Sequence, residues 1–253
     1  MADLSQNTAI ALKVQSAAGT YASPSSSDCY PCANLRPQIN GVTITNPEYL
    51  GSVHRQGDAI AGKTVTLTFN FMLRPPGGAS PPSAGAFIPG RVLTTAGFTE
   101  NILSAAIPVS AEALAAAATD NVTLGTTAAA TANLYKGLVL HLAANGSLPR
   151  SYTAIRSYSA AKVATLAEVF GSAPTGNYQL PKQLAYTLSP SAPSAQLSAS
   201  FWLGNRRYNC VDMIVSGLRF NWPTSTLQQA DYPTMEVTLT GSIYSDADEA
   251  APA

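Results

Sequence analysis

Apolar residues return at every second position along much of this chain, most clearly in "GKTVTLTFNFMLRPPGG", Gly62 to Gly78. Val65, Leu67, Phe69, Phe71 and Leu73 fall on one side of an extended backbone, and Thr64, Thr66, Thr68 and Asn70 fall on the other. That pattern predicts a half-buried strand. The same rhythm places Ile10, Leu12 and Val14 on one face of an N-terminal strand, and it predicts another strand from Leu35 to Thr45 with Ile39, Val42 and Ile44 as its apolar points. Towards the C-terminus, Leu197, Ala199, Phe201 and Leu203 alternate up to Gly204-Asn205, a glycine-first pair suited to a tight hairpin turn. Beyond it Gly217 marks a bulge, after which Leu218, Phe220 and Trp222 resume the alternation with Arg219 and Asn221 opposite. A last strand sets Met235, Val237, Leu239 and Ile243 against Glu236, Thr238, Thr240 and Ser242.

Helical signals are fewer. In "IPGRVLTTAGF", Pro89 opens a short helix and Gly97 closes it, with Val92, Leu93 and Ala96 on the buried side. A second helix is predicted where Ser159 can cap, where Val163, Leu166, Ala167 and Phe170 share a face, and where Gly171 can end the run. Residues 102–178 are richer in Ala and Thr than the strands on either side. They read as an insertion in a discontinuous β domain of residues 1–101 and 179–246, with 247–253 as a flexible tail. Two long connections stand out, "NPEYLGSVHRQGDAIAG" and "RPPGGASPPSAG". Long segments of this kind in a compact domain are functional or disordered.

Composition narrows the function classes. Formal net charge is zero and only 11% of residues are charged, so no single-signed field draws nucleic acid or an anionic membrane. A surface this poor in charge favours association. The N-terminus has neither the basic start nor the apolar core of a signal peptide, and no apolar run approaches the roughly 20 residues of a membrane span. The expectation is a soluble chain made in a cytoplasm, without membrane insertion, on which the sequons at Asn121 and Asn145 carry nothing. Of three cysteines, Cys29 and Cys32 form a CxxC and Cys210 stands far away. Zinc wants four ligands, and the only histidines are His54 and His141, so small hydrophobic residues are favoured over a redox pair or metal site. No cofactor and no metal are expected.

Catalytic patterns are absent. His54 and Asp58 could be a base and its orienting carboxylate, but no nucleophile stands in a GxSxG elbow, and no HExxH, Walker loop or dinucleotide fingerprint occurs. Arg206 and Arg207 are too few to bind nucleic acid on a neutral chain. The expectation is a protein that is not an enzyme.

Three pieces resemble the major tail tube proteins of long-tailed, siphovirus-type bacteriophages: "ALKVQSAAGTYASP", the long loop ending in "AGKTVTLTFNFML", and "FWLGNRRYNCVDMIVSGLRFNW" with "YPTMEVTLTGSIY". Between them "GRVLTTAGFTE" is similar to that family's short helix. The resemblance implies a mainly β fold, a tail-tube-type β-sandwich or partial barrel with a flanking helix, here carrying the inserted Ala/Thr-rich segment. It also implies hexameric rings whose inner sheets join into one lumenal barrel, stacked into a tube in the virion tail, assembled in the host cytoplasm, through which double-stranded DNA passes without specific binding.

On that reading Thr64, Thr66, Thr68, Asn70, Glu236, Thr238, Thr240 and Ser242 are candidates for the lumen. These eight residues include no arginine, and lysine occurs only outside them, at Lys63, as suits a channel that must not grip phosphate. The loop residues Glu48, Tyr49, Leu50, Val53, His54, Arg55, Asp58 and Ile60 are candidates for contacts between subunits and between rings. Partners would be further copies of the chain and the tape measure, terminator and distal tail proteins. The alternatives are a β-sandwich capsid-decoration or receptor-binding tail component, or a bacterial secretion tube subunit.

Overall fold

The computed structural model describes residues 9–44, 59–74, 83–143, 151–188, 195–203, 206–222 and 232–249. Strands β1 (Ala9–Val14), β2 (Cys29–Pro31), β3 (Ala33–Ile44) and β4 (Ala59–Met72) come first, followed by the helix α1 (Ile88–Thr95). Next come β5 (Phe98–Leu103), β6 (Ile107–Ala113), β7 (Ala116–Ala117), β8 (Asn121–Thr123) and β9 (Val139–Leu142). They lead to β10 (Ser151–Tyr158), β11 (Val163–Leu166), β12 (Asn177–Leu180) and β13 (Gln183–Leu188). The chain closes with β14 (Leu197–Leu203), β15 (Arg206–Asn221) and β16 (Thr234–Asp248). Among the described residues the fold is mainly β, with one α-helix and a curled half-barrel sheet.

Two compact units divide the chain: Met1–Pro75, Ile88–Gly97 and Ser191–Ala253 form the first, and Pro76–Phe87 with Phe98–Pro190 form the second. The second unit therefore begins before residue 102 and ends after 178, because β5 and β13 pair with each other from Phe98↔Leu188 to Leu103↔Gln183.

The first unit holds a seven-stranded sheet in the order β2-β1-β14-β15-β16-β4-β3. Its core residues are those the alternation assigns: Val65, Leu67, Phe69 and Phe71 from β4 and Met235, Val237 and Leu239 from β16 are all buried. Ile10 and Leu12 of β1 are buried with them, whereas Val14 is exposed. The helix covers part of the sheet with Ile88, Val92 and Leu93 buried, and Ala96 is half-buried. Gly97, at φ +94°, ends it in the left-handed region that glycine tolerates. Arg91 of α1 donates to the carbonyl of Leu12 and to the Asp28 carboxylate at 2.7 Å, tying helix to strand. Burial works against ionisation of Asp28, but the Ser25 N–H, the Arg91 guanidinium and the Ser25 hydroxyl outweigh it and hold the carboxyl below its ordinary range.

Strand β14 departs from simple alternation, since every residue from Leu197 to Trp202 is buried. The second face is covered by the loop that follows β1 and contains Gly19 and Thr20. Tyr21 donates to Asn209 at 2.8 Å and shares a hydrogen bond with Ser200 at 3.1 Å, and the Ala22 N–H donates to Ser198 at 2.9 Å. Gly19, at φ +74°, turns the loop so that its N–H reaches Asp212 at 2.7 Å.

The second unit carries a seven-stranded sheet, β6-β12-β9-β10-β11-β8-β7, and the two-stranded β13-β5. Leu124, Leu138, Leu140, Ile155, Tyr178 and Leu180 are among its buried core. The helix predicted after Ser159 is a correction: Val163–Leu166 is strand β11, paired with β10 and β8. Ala164 and Leu166 are buried there while Val163 and Thr165 are half-buried, a period of two. The Ser159 hydroxyl does accept the Val163 N–H, at 3.2 Å, but it fastens a hairpin turn. Lys162, at φ +63°, completes that turn and takes the chain out of helical conformation.

Candidate assembly surface

The register of β4 and β16 puts the two predicted polar rows side by side. Thr64 faces Ser242, Thr66 faces Thr240, Thr68 faces Thr238 and Asn70 faces Glu236. The Thr68 and Thr238 hydroxyls lie 3.4 Å apart. Thr64, Glu236 and Ser242 are exposed and the other five are half-buried, so all eight lie on one continuous polar face.

The neighbouring strands extend this face beyond the eight residues. Arg36 of β3 is opposite Thr68, and Arg219 of β15 is opposite Glu236. Both arginines are exposed, so the eight residues are free of arginine but the wider face is not. Gln38, opposite Thr66, and Asn40, opposite Thr64, complete it on β3. Arg219 was legible as the polar partner of Phe220. Arg36 carries no such local signal, because its neighbours in space are set by a pairing 32 residues distant, Arg36↔Thr68.

Those apolar points occupy unexpected surroundings. Ile39 and Val42 are 37% and 44% exposed, because β3 is the edge of the sheet. A second open edge lies on β15. The ladder with β14 runs from Leu203↔Arg206 to Leu197↔Met213 and ends there, while the ladder with β16 continues to Asn221↔Thr234. Among the described residues, Ile214–Asn221 therefore pairs on one side alone. Ile214 and Phe220 on this stretch are 48% and 38% exposed. The register shift predicted at Gly217 is present between Val215 and Gly217.

Strand β16 continues to Asp248, beyond residue 246, with Ala247 paired to Arg207 and Asp248 to Arg206. Arg206 forms an ion pair with Asp246, and Arg207 one with Glu249 at 3.0 Å, so these arginines are held within the fold. Arg207 also lies over Trp202, 5.5 Å from the ring. The loop candidates Glu48, Tyr49, Leu50, Val53, His54, Arg55 and Asp58 lie outside the described residues. Ile60 lies in β4, opposite Thr43.

Among the described residues, no group of three or more His, Cys, Asp or Glu is arranged to hold a metal ion. Cys29 and Cys32 are half-buried, and burial raises the Cys29 thiol above its ordinary value, opposite to what a reactive thiolate needs. Cys210 is buried in the sheet and its thiol is pushed up to about 12 by desolvation. No helix among the described residues is long and apolar enough to cross a membrane. No protein-family model matches the chain, and no curated protein matches it.

Proposed function

We propose that this chain is a structural subunit of a phage tail tube, self-assembling into rings of six that stack into the channel for genome ejection. The observation that carries this reading is the pair of open edges on the segment β3-β4-β16-β15. Each strand in that segment is long; the apolar face is buried on β4 and β16, and the other face is mostly Thr, Asn, Ser and Gln, with Arg36, Arg219 and Glu236 among them. A sheet with two unlike open edges joins its copies head to tail, and such contacts close into rings when the rotation allows. In the closed ring the polar face would line a water-filled lumen and the apolar face would rest on each subunit's own core. The tape measure, terminator and distal tail proteins are the partners this role calls for, and the assembled virion tail is its location.

Negative-stain microscopy of the purified, concentrated protein tests the proposal. Rings with a central channel, alone or stacked into tubes, are expected. A population that stays monomeric across concentration and salt, with no rings, would overturn it.

A further inference from the structure

Resting on that reading, we infer the register of the seam between copies: Val42 on β3 of one copy lies opposite Ile214 on β15 of the next. On the polar face of the four-stranded segment, these two are exposed aliphatic residues, and each stands at an open edge. Val42 shares the face of Thr64 through its pairing with Gly62, and Ile214 shares it through Thr240. Placing them together removes both from water.

Three further features agree with this register. β14 occupies the edge of β15 from Arg206 to Met213, so an incoming β3 paired along Ile214–Asn221 must leave at that point, and β3 itself breaks step with β4 between Val42 and Thr43. Carried past the one-residue bulge at Val215/Gly217, the register sets Asn40 by Gly217, Gln38 by Arg219 and Arg36 by Asn221. A slip of two residues, with Asn40 at Ile214, would set Arg36 directly against Arg219, and like charges directly opposite are destabilising. On the other face, the same register brings exposed Ile39 to Leu218 and Pro37 to exposed Phe220. Pro37 leaves one donor missing from the seam, which an edge strand tolerates.

The stagger also fits a closed barrel. Ile214 pairs with Thr240, Thr240 with Thr66, and Thr66 with Gln38, so one passage across a copy moves the register from position 42 to position 38. Four residues at about 3.3 Å over four strands at about 4.8 Å give a tilt of about 35°, within the range of closed barrels. The Leu73 N–H donates to the Pro233 carbonyl at 2.8 Å, which places β16 to the right of an upward β4 when the sheet is viewed from its apolar side. From that side the stagger has the right-handed sense of barrel strands, as required if the polar face is turned inward.

Disulfide trapping reads the register. The variant Val42→Cys/Ile214→Cys, assembled and mildly oxidised, is expected to give a covalent ladder ending at the full ring, with each single variant and the slipped pair Asn40→Cys/Ile214→Cys at least tenfold weaker. Rings that form normally but cross-link best in the slipped pair, or in neither, would overturn the register and leave the tube proposal standing. Absence of rings from the unmodified protein would overturn both.

Discussion

The Tyr30 ring stands edge-on to the Phe71 ring, with centroids 5.0 Å apart and planes at 75°, and its hydroxyl donates to the Met72 carbonyl at 3.2 Å. Tyr30 belongs to β2, the first strand in the sheet order, and Phe71 to β4, the sixth. A flat sheet at about 4.8 Å per strand would hold them more than 20 Å apart. Their contact therefore closes the curl of the sheet and encloses its core.

Tyr30→Ala should cost about 2–3 kcal/mol, from lost packing and the void it leaves beside Phe71. Tyr30→Phe, which gives up only the bond to the Met72 carbonyl, should cost about 1 kcal/mol or less. Equilibrium urea unfolding separates the two, and equal costs would mean that the hydroxyl, and not the ring, holds the curl.

Gly241 lies where β16 passes the irregular stretch of β15. A Cβ there would stand 2.5 Å from Met213 Sδ and 2.8 Å from the Val211 carbonyl oxygen. Gly241→Ala should therefore destabilise the first unit by about 1–3 kcal/mol, since backbone on one side cannot yield. Gly62→Ala is the matched control, because among the described residues nothing lies within 4 Å of a Cβ there and the change should be close to neutral. Thermal melts of both variants against the parent decide it.

Where the period of two was strict, the chain could be read directly. Val65 to Phe71 and Met235 to Leu239 are buried as the alternation requires, and the short helix between Pro89 and Gly97 follows its terminal signals. The reading failed where distant segments decide the surroundings. Ser198 and Ser200 look like an outward row until Tyr21 and Ala22 fold over them. Val163 to Phe170 can be spaced as a helix face, but pairing with β10 and β8 makes Val163–Leu166 a strand. The polar rows of β4 and β16 were each visible, yet their alignment, the open side of Ile214–Asn221 and the presence of Arg36 beside Thr68 depend on register, which local pattern does not carry.

Glu112, in the second unit, shows the same dependence on distant partners. Its carboxylate accepts from the Thr127 and Thr126 hydroxyls, from the Tyr178 hydroxyl at 2.8 Å and from the Thr126 N–H at 2.6 Å. The Thr127 hydroxyl leads this set in holding the Glu112 carboxyl at about 2, well below the ordinary 4.5. A depressed carboxyl stabilises the fold fully above its unfolded value and loses that contribution as pH falls towards its folded value. The parent should therefore lose melting temperature between pH 4.5 and pH 2 more steeply than Glu112→Gln, which should be less stable by about 1 kcal/mol at pH 7. Parallel curves for the two proteins across that window would remove the carboxylate from the account.

Joining of sheets between copies is the central claim, and hydrogen exchange on the backbone amides of β3 and of Ile214–Asn221 tests it most directly. In the separated subunit, the amides on the open sides of these strands should exchange rapidly, since they have no ladder partner among the described residues. In the assembled ring they should become protected together, by at least a hundredfold, while amides already paired within β4 and β16 change little. Assembled particles in which both edges exchange as fast as in the single subunit would contradict the account.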